Sequence, residues 1–143
     1  MNVSQILKQK GNRIVSVSED ATVGEAATVL AREGIGAVLV LDRAGRVGGI
    51  LSERDLVRSL ASHGVGVVTL GVGEVMTRNV VFCRPEDSID RVMSEMTTRR
   101  FRHLPVTDNG RLTGIVSIGD VVKYRLMETE AEAESLRQYI AAG

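Results

Sequence analysis

The sequence predicts an α+β fold built from two copies of one strand-helix-strand-strand-helix unit. Three observations predict it. The heptapeptide "GILSERD" at residues 49–55 returns as "GIVSIGD" at residues 114–120. The positions around it also match: Val15 with Val81, Val40 with Val106, and Asp42 with Asp108. After one extra residue in "DRAGR" relative to "DNGR", Gly45, Arg46, Ile50 and Val57 match Gly110, Arg111, Ile115 and Val122. Finally, the hydrophobic pattern switches between strand and helix periods in the same order in both copies. A unit written twice commonly needs its copy to bury its core.

The chain opens on a short amphipathic stretch with Val3, Ile6 and Leu7. "RIVSVSED" predicts a short strand, and "ATVGEAATVLAREG" a helix with Val23, Ala26, Ala27, Leu30 and Ala31 at helical spacing behind Thr22 as N-cap. "GAVLVLD" and "VGGILS" are strands joined by the turn "RAGR" into a hairpin, and "ERDLVRSLAS" is the closing helix. A connector rich in glycine and valine follows, in which "VGEVM" fits one helical turn. The second copy reads "NVVFC" as strand, "DSIDRVMSEMTTRR" as helix, "FRHLPVTD" and "LTGIVS" as a hairpin around "NGR", and "IGDVVKYRL" as helix. The tail "METEAEAESLRQYIAAG" predicts a further helix with an acidic face and an apolar seam of Leu126, Ala133, Leu136 and Ile140. Two readings of the tail stay open: a helix folded back on its own domain, or one that meets a partner. The expected divisions are repeat 1 over 8–62, connector 63–79, repeat 2 over 80–126 and C-terminal helix 127–143.

Composition narrows the function classes. The 143 residues, 43% hydrophobic and 25% charged, suffice for one compact domain or two small halves sharing a core. Eighteen Lys and Arg balance eighteen Asp and Glu, so no global field draws the chain to nucleic acid or to an anionic membrane. Cys83 is the single cysteine, which excludes an intrachain disulfide framework and suits a reducing cytosol, with Cys83 packed as a small apolar side chain on a strand. The first residues carry no apolar signal region, and runs such as "GAVLVL" are too short to span a bilayer. The expectation is a soluble cytoplasmic protein with no nucleic-acid or membrane partner. "GVGVVTLGVG" and "GIGAVL" lack the glycine spacing of a nicotinamide fingerprint, and no GxxxxGK loop, catalytic triad or metal-ligand cluster is legible. A non-enzyme, with no metal, is therefore expected.

With "GIGAVLVLDRAGRVGGILSERDLV" in one unit and "RFRHLPVTDNGRLTGIVSIGDVV" in the other, the chain resembles a tandem pair of cystathionine-beta-synthase (CBS) domains of the small stand-alone bacterial type. "RHLPV" and "GIVSIGD" are close to the family pattern. Repeat 1 departs from it: "GAVLV" stands for the usual x-x-Pro-Val, and "KQKGNRIV" for the Thr-containing lead-in that "MTRNVV" supplies in repeat 2. The resemblance implies a pseudo-twofold pair with two clefts between repeats. Such clefts bind AMP, ADP, ATP, S-adenosylmethionine or, in some small members, NAD or NADH. It implies a regulatory, nucleotide-sensing module that acts on a partner protein in trans. A homodimer is expected, because one pair would leave apolar faces such as Leu56, Leu60, Val121 and Val122 uncovered. The alternative is a purely structural scaffold with empty clefts.

Each Ser-x-x-Asp has two readings. One is a capping box, with serine and acid closing the start of a helix. In the other, Asp55 and Asp120 accept the 2′ and 3′ hydroxyls of a ribose while Ser52, Ser117 and the open helix starts, including Gly119, face phosphate. The resemblance favours the second. Basic candidates for the phosphate are Arg102 and His103 in "TRRFRHLPV", Lys10 ahead of the first strand, and Arg54. Arg99 suits a helix end, Lys123 lies on a copied helix, and His63 belongs to the connector. Adenine needs an apolar slot, for which Gly36, Ala37, Val38, Leu104 and Pro105 are candidate walls against Ile14, Val15, Val80 and Val81. Thr77 either contacts ribose or phosphate or ends the "VGEVM" turn.

Overall fold

The computed structural model describes residues 1–142. The elements run α1 (Val3–Lys10), β1 (Ser16–Ser18), α2 (Val23–Glu33), β2 (Ala37–Leu41), β3 (Val47–Ser52) and α3 (Glu53–His63). Two short 3-10 turns follow, Gly64–Thr69 and Val72–Glu74, then α4 (Ile89–Arg99), β4 (His103–Asp108), β5 (Arg111–Ser117) and α5 (Ile118–Ala142). They form two compact units whose division differs from the expected repeat boundaries. One unit is Ile14–Val80; the other joins Met1–Arg13 to the chain from Val81 onward. Residues 8–13, expected in repeat 1, thus belong with repeat 2.

In the unit Ile14–Val80 the sheet order is β1-β2-β3, with β1 parallel and β3 antiparallel to β2. Thr22 caps α2 as expected, its hydroxyl accepting from the Glu25 amide. The core is Ala26, Leu30, Val38, Val40, Leu51 and Val72, with Val75 and Met76 packed against it. The last three come from the connector. It is tied on by backbone bonds from Val23 N to Leu70 O (2.8 Å) and from Val72 N to Ala21 O (2.9 Å).

The other unit takes its closing segment from the start of the chain. Asn2 and Gln5 form a capping box at α1, and the Val3 and Ser4 amides donate to Asp87 O and Pro85 O. Val3 and Ile6 are fully buried in a core with Ile89, Met96, Leu104 and Val116. The helical spacing of the first residues reflects this buried face. Val121, expected to be partly uncovered, is also fully buried, whereas Leu60 and Val122 are exposed. Leu56 is partly buried against the first unit's core.

The expected strand "NVVFC" is reduced to one parallel bridge between Cys83 and Val106. The cause is two prolines. Cys83 N donates to Pro105 O and Thr107 N donates to Cys83 O, but extension of the ladder on either side would require amide hydrogens on Pro105 and Pro85. At the matching places in the first unit, the Leu39 and Glu19 amides donate to Val15 O (3.4 Å) and Leu41 O (2.9 Å). That sheet therefore has three strands and this one has two, β4 antiparallel to β5. Cys83 is buried, and burial, followed by the nearby Asp87 charge, pushes its thiol up to about 12.

The closing helix and the tail are one element, so the expected break between residues 126 and 127 is absent. Beyond Glu128 every described residue except Ala133 is exposed, which corrects the reading in which the tail folds back on its domain. Among the described residues no helix is long and apolar enough to cross a membrane.

Candidate functional site

The doubled phrase sits where a strand hands over to a helix, β3 to α3 and β5 to α5. The serine hydroxyl accepts from the amide of the aspartate three residues on, at 3.2 Å for Ser52 and 3.1 Å for Ser117. The aspartate takes the serine amide in return, at 3.0 Å for Asp55 and 2.9 Å for Asp120. Both copies therefore complete capping boxes. The first helical amide is also occupied in each: Glu53 N donates to Gly36 O at 2.9 Å and Ile118 N to Arg102 O at 2.8 Å. The amides of Ser52, Ser117, Glu53 and Ile118 therefore have partners within the protein. Gly36 and Arg102 serve here through their carbonyls, a role that no side-chain pattern signals.

The glycine of the phrase makes room for a lead-in segment. A Cβ on Gly49 would lie 2.6 Å from Met76 Sδ and 2.8 Å from Thr77 O; one on Gly114 would lie 2.8 Å from Leu7 Cδ2. The segment before repeat 2 thus packs on the phrase of repeat 1, and the segment before repeat 1 on the phrase of repeat 2. Sequence reading missed this exchange. The shared glycine and the apolar Leu7 and Met76 are its signals.

The two phrases differ in what the lead-in presents to the acid. Thr77 exchanges backbone hydrogen bonds with Ile50 at 2.8 and 2.9 Å, and its hydroxyl donates to Asp55 Oδ1 at 3.1 Å. The Ser52 hydroxyl adds a bond to Asp55 Oδ2 at 3.0 Å, and Asp55 is only 6% exposed. At the other phrase, Lys10 Nζ donates to Asp120 Oδ2 at 2.6 Å and to Ile115 O at 2.9 Å. Ile115 is the match of Ile50, so the ammonium bonds the carbonyl that a backbone amide bonds in the first copy. The Lys10 and Asp120 side chains keep 34% and 23% exposure. Burial alone would raise the Asp120 carboxyl, but the Lys10 hydrogen bond, the Ser117 amide and the Lys10 charge outweigh it and hold the group below the usual carboxylate range.

The remaining candidates divide by burial. Arg54, Arg102 and Gly119 are exposed, and His103 is part-buried opposite Ser117 in the β4–β5 register. Arg102 and His103 are thus drawn to the Ser117–Asp120 end of their own unit. Ala37 and Pro105 are buried, and Val38 and Leu104 belong to the cores of their units, leaving those two no face for a base. Ile14, Val15, Val80 and Val81 retain some surface. Beside the shortened strand lies an open pocket of about 440 Å³ lined by Phe82, Cys83, Arg84 and Thr107, none of them in the phrase. Among the described residues no group of three or more His, Cys, Asp and Glu could hold a metal ion.

Comparison with known proteins agrees with this arrangement. The fold matches the CBS-domain containing protein ATU1752 from Agrobacterium tumefaciens with TM-score 0.85 and 48% identity, covering 87% of this chain and 99% of that one. It also matches the CBS domain pair of protein MJ0100 in complex with 5′-methylthioadenosine and S-adenosyl-L-methionine, with TM-score 0.76, 26% identity, and 87% and 98% coverage. A third match is the CBS domain protein PAE2072 from Pyrobaculum aerophilum complexed with AMP, with TM-score 0.75, 27% identity, and 84% and 89% coverage. The family model for the CBS domain matches twice, over residues 3–62 and 72–126, and the chain, with its two phrases and exchanged lead-in segments, belongs to the CBS domain family.

Proposed function

We propose that the protein is a non-catalytic sensor of adenine nucleotides that takes AMP, ADP or ATP, with NAD or NADH as further ligands, and acts on a partner protein in trans. The observation that carries the reading is Asp120. Its Ser117 and Lys10 bonds both fall on Oδ2, leaving Oδ1 without a partner among the described residues for a ribose hydroxyl. A carboxylate accepts a vicinal diol with charge assistance, and Lys10, Arg102 and His103 supply donors for the phosphate on the same unit. Solved relatives holding AMP, S-adenosylmethionine and 5′-methylthioadenosine support an adenosine-containing ligand.

Mass spectrometry of small molecules released from the purified protein tests this reading, beside calorimetric titration with AMP, ATP, NADH and adenosine. Adenine nucleotide in the released fraction and micromolar or tighter binding are expected. The scaffold alternative is favoured by one observation, that both acids complete capping boxes; it requires no release and no heat. The functional unit we propose is a homodimer, since Val57, Leu60, Leu126, Leu136 and Ile140 leave apolar surface uncovered. Light scattering at twice the chain mass is expected, and a concentration-independent monomer refutes the dimer.

A further inference from the structure

We infer that the two phrases have diverged: Lys10 and Asp120 make a receptor selective for phosphate-bearing ribose, whereas Asp55 is closed to ligand. The inference rests on the nucleotide-sensing reading above and adds which acid binds and what charge the ligand must carry.

Asp55 has no room for a diol. Its two oxygens already take the Ser52 amide, the Ser52 hydroxyl and the Thr77 hydroxyl. The Thr77 main chain is held beside Asp55 by backbone bonds to Ile50 in both directions, so the segment cannot swing away as a long side chain can. Displacement of its hydroxyl would also leave a polar group stranded in a largely buried place.

At Asp120 the same position is held by a movable group. The ammonium of Lys10 rides on a flexible four-carbon stem at the last residue of α1, and its side chain is about one-third exposed. A ribose hydroxyl can reach Oδ1 directly. A second hydroxyl needs Oδ2, from which it must displace a cation that now neutralises the carboxylate.

That displacement sets the selectivity. A nucleoside offers the released ammonium no counter-charge, so the ion pair is lost without replacement. A 5′-phosphate lies one ribose length from the diol, within the sweep of a lysine side chain, and gives the ammonium a new anionic partner. The ion pair in the free protein therefore rejects neutral nucleosides and is exchanged, with charge conserved, for a phosphate contact when a nucleotide binds.

Calorimetric titration of the full chain with AMP and with adenosine tests this in wild type, Lys10→Thr, Lys10→Arg and Asp120→Asn. Wild type should bind one AMP per chain and prefer it over adenosine by at least about tenfold. Lys10→Thr, which removes the ammonium but lacks the backbone bonds that pin Thr77, should lower that preference about tenfold, and Lys10→Arg should retain it. Asp120→Asn should remove AMP binding. Thermal melts of the ligand-free variants report folding. The wild type gives an independent reading, since raising salt from about 0.05 to 0.5 M should weaken AMP severalfold and leave adenosine no weaker. Two equivalent AMP sites per chain, an unchanged preference in a folded Lys10→Thr variant, or a salt-independent AMP affinity each overturn the inference while the sensor reading stands. Failure of wild type to bind any adenine ligand overturns both.

Discussion

Asp55 and Asp120 share a place in the phrase and differ in surroundings, and the difference sets what each contributes to stability. Asp55 is buried, with each of its oxygens bonded to a protein donor. Asp55→Asn turns one acceptor oxygen into a donor group facing the Ser52 and Thr77 donors. The expected loss is about 1–3 kcal/mol in ligand-free denaturation, because a buried group is left mismatched. Asp120→Asn should cost less without ligand, since water reaches the site. Its effect should also depend on pH. The folded Asp120 carboxyl lies below its ordinary value of 3.8, so the unfolded chain binds the proton more readily. The contribution is therefore present in full above the unfolded value and fades as pH falls through the folded one. Melting curves from pH 7 to pH 2.5 should show the gap between wild type and Asp120→Asn closing only below about pH 4.

At the scale of elements, a proline or a glycine decides whether a segment can pair or pack. Pro105→Leu copies Leu39 and supplies an amide able to reach the Val81 carbonyl. Hydrogen exchange by NMR should then show a newly protected amide at position 105; a fast-exchanging amide there would mean that Pro85 and the local backbone also forbid the third strand. Gly49 and Gly114 give a graded pair. A Cβ at Gly49 meets the Thr77 carbonyl, which is backbone, while one at Gly114 meets only the Leu7 side chain, which can rotate. Gly49→Ala should therefore destabilise by about 1–3 kcal/mol and Gly114→Ala by visibly less in urea titrations. Equal losses would refute the packing account of the doubled glycine.

For the whole molecule, the exchange of lead-in segments means that each repeat completes its core with residues from the segment before the other copy, Val72 in the first unit and Val3 and Ile6 in the second. Deletion of residues 1–10 removes Val3 and Ile6, both fully buried, from the core that contains Ile89 and Val116. At about 1.5–3 kcal/mol for each buried aliphatic side chain, the loss should be several kcal/mol. Native-state hydrogen exchange should place it in residues 81–142 and spare residues 14–80. A synthetic peptide of residues 1–13 should restore protection in trans. Uniform loss across both units would contradict the division into Ile14–Val80 and the remainder.

Local chemistry alone determined much of this protein. Alternation and helical spacing named nearly every element, Thr22 named a cap, and the repeated phrase pointed to the family and to two candidate acids, whereas the capping boxes of both serines were the less favoured of two readings. These signals are short-range or written twice, and both properties survive in one dimension. What the tertiary structure decided involves residues far apart in the chain. Lys10 meets Asp120 and Thr77 meets Asp55 because each lead-in segment packs in the unit of the other copy, and nothing in "KQKGN" or "VMTRN" states the destination. The missing third strand was partly legible, since Pro85 and Pro105 stand in the sequence, but their effect depends on a parallel register that brings both to the Cys83 bridge. Val121 is core and not interface for the same reason: a helix shows its apolar face in the sequence, while the neighbour that covers the face is chosen by the fold.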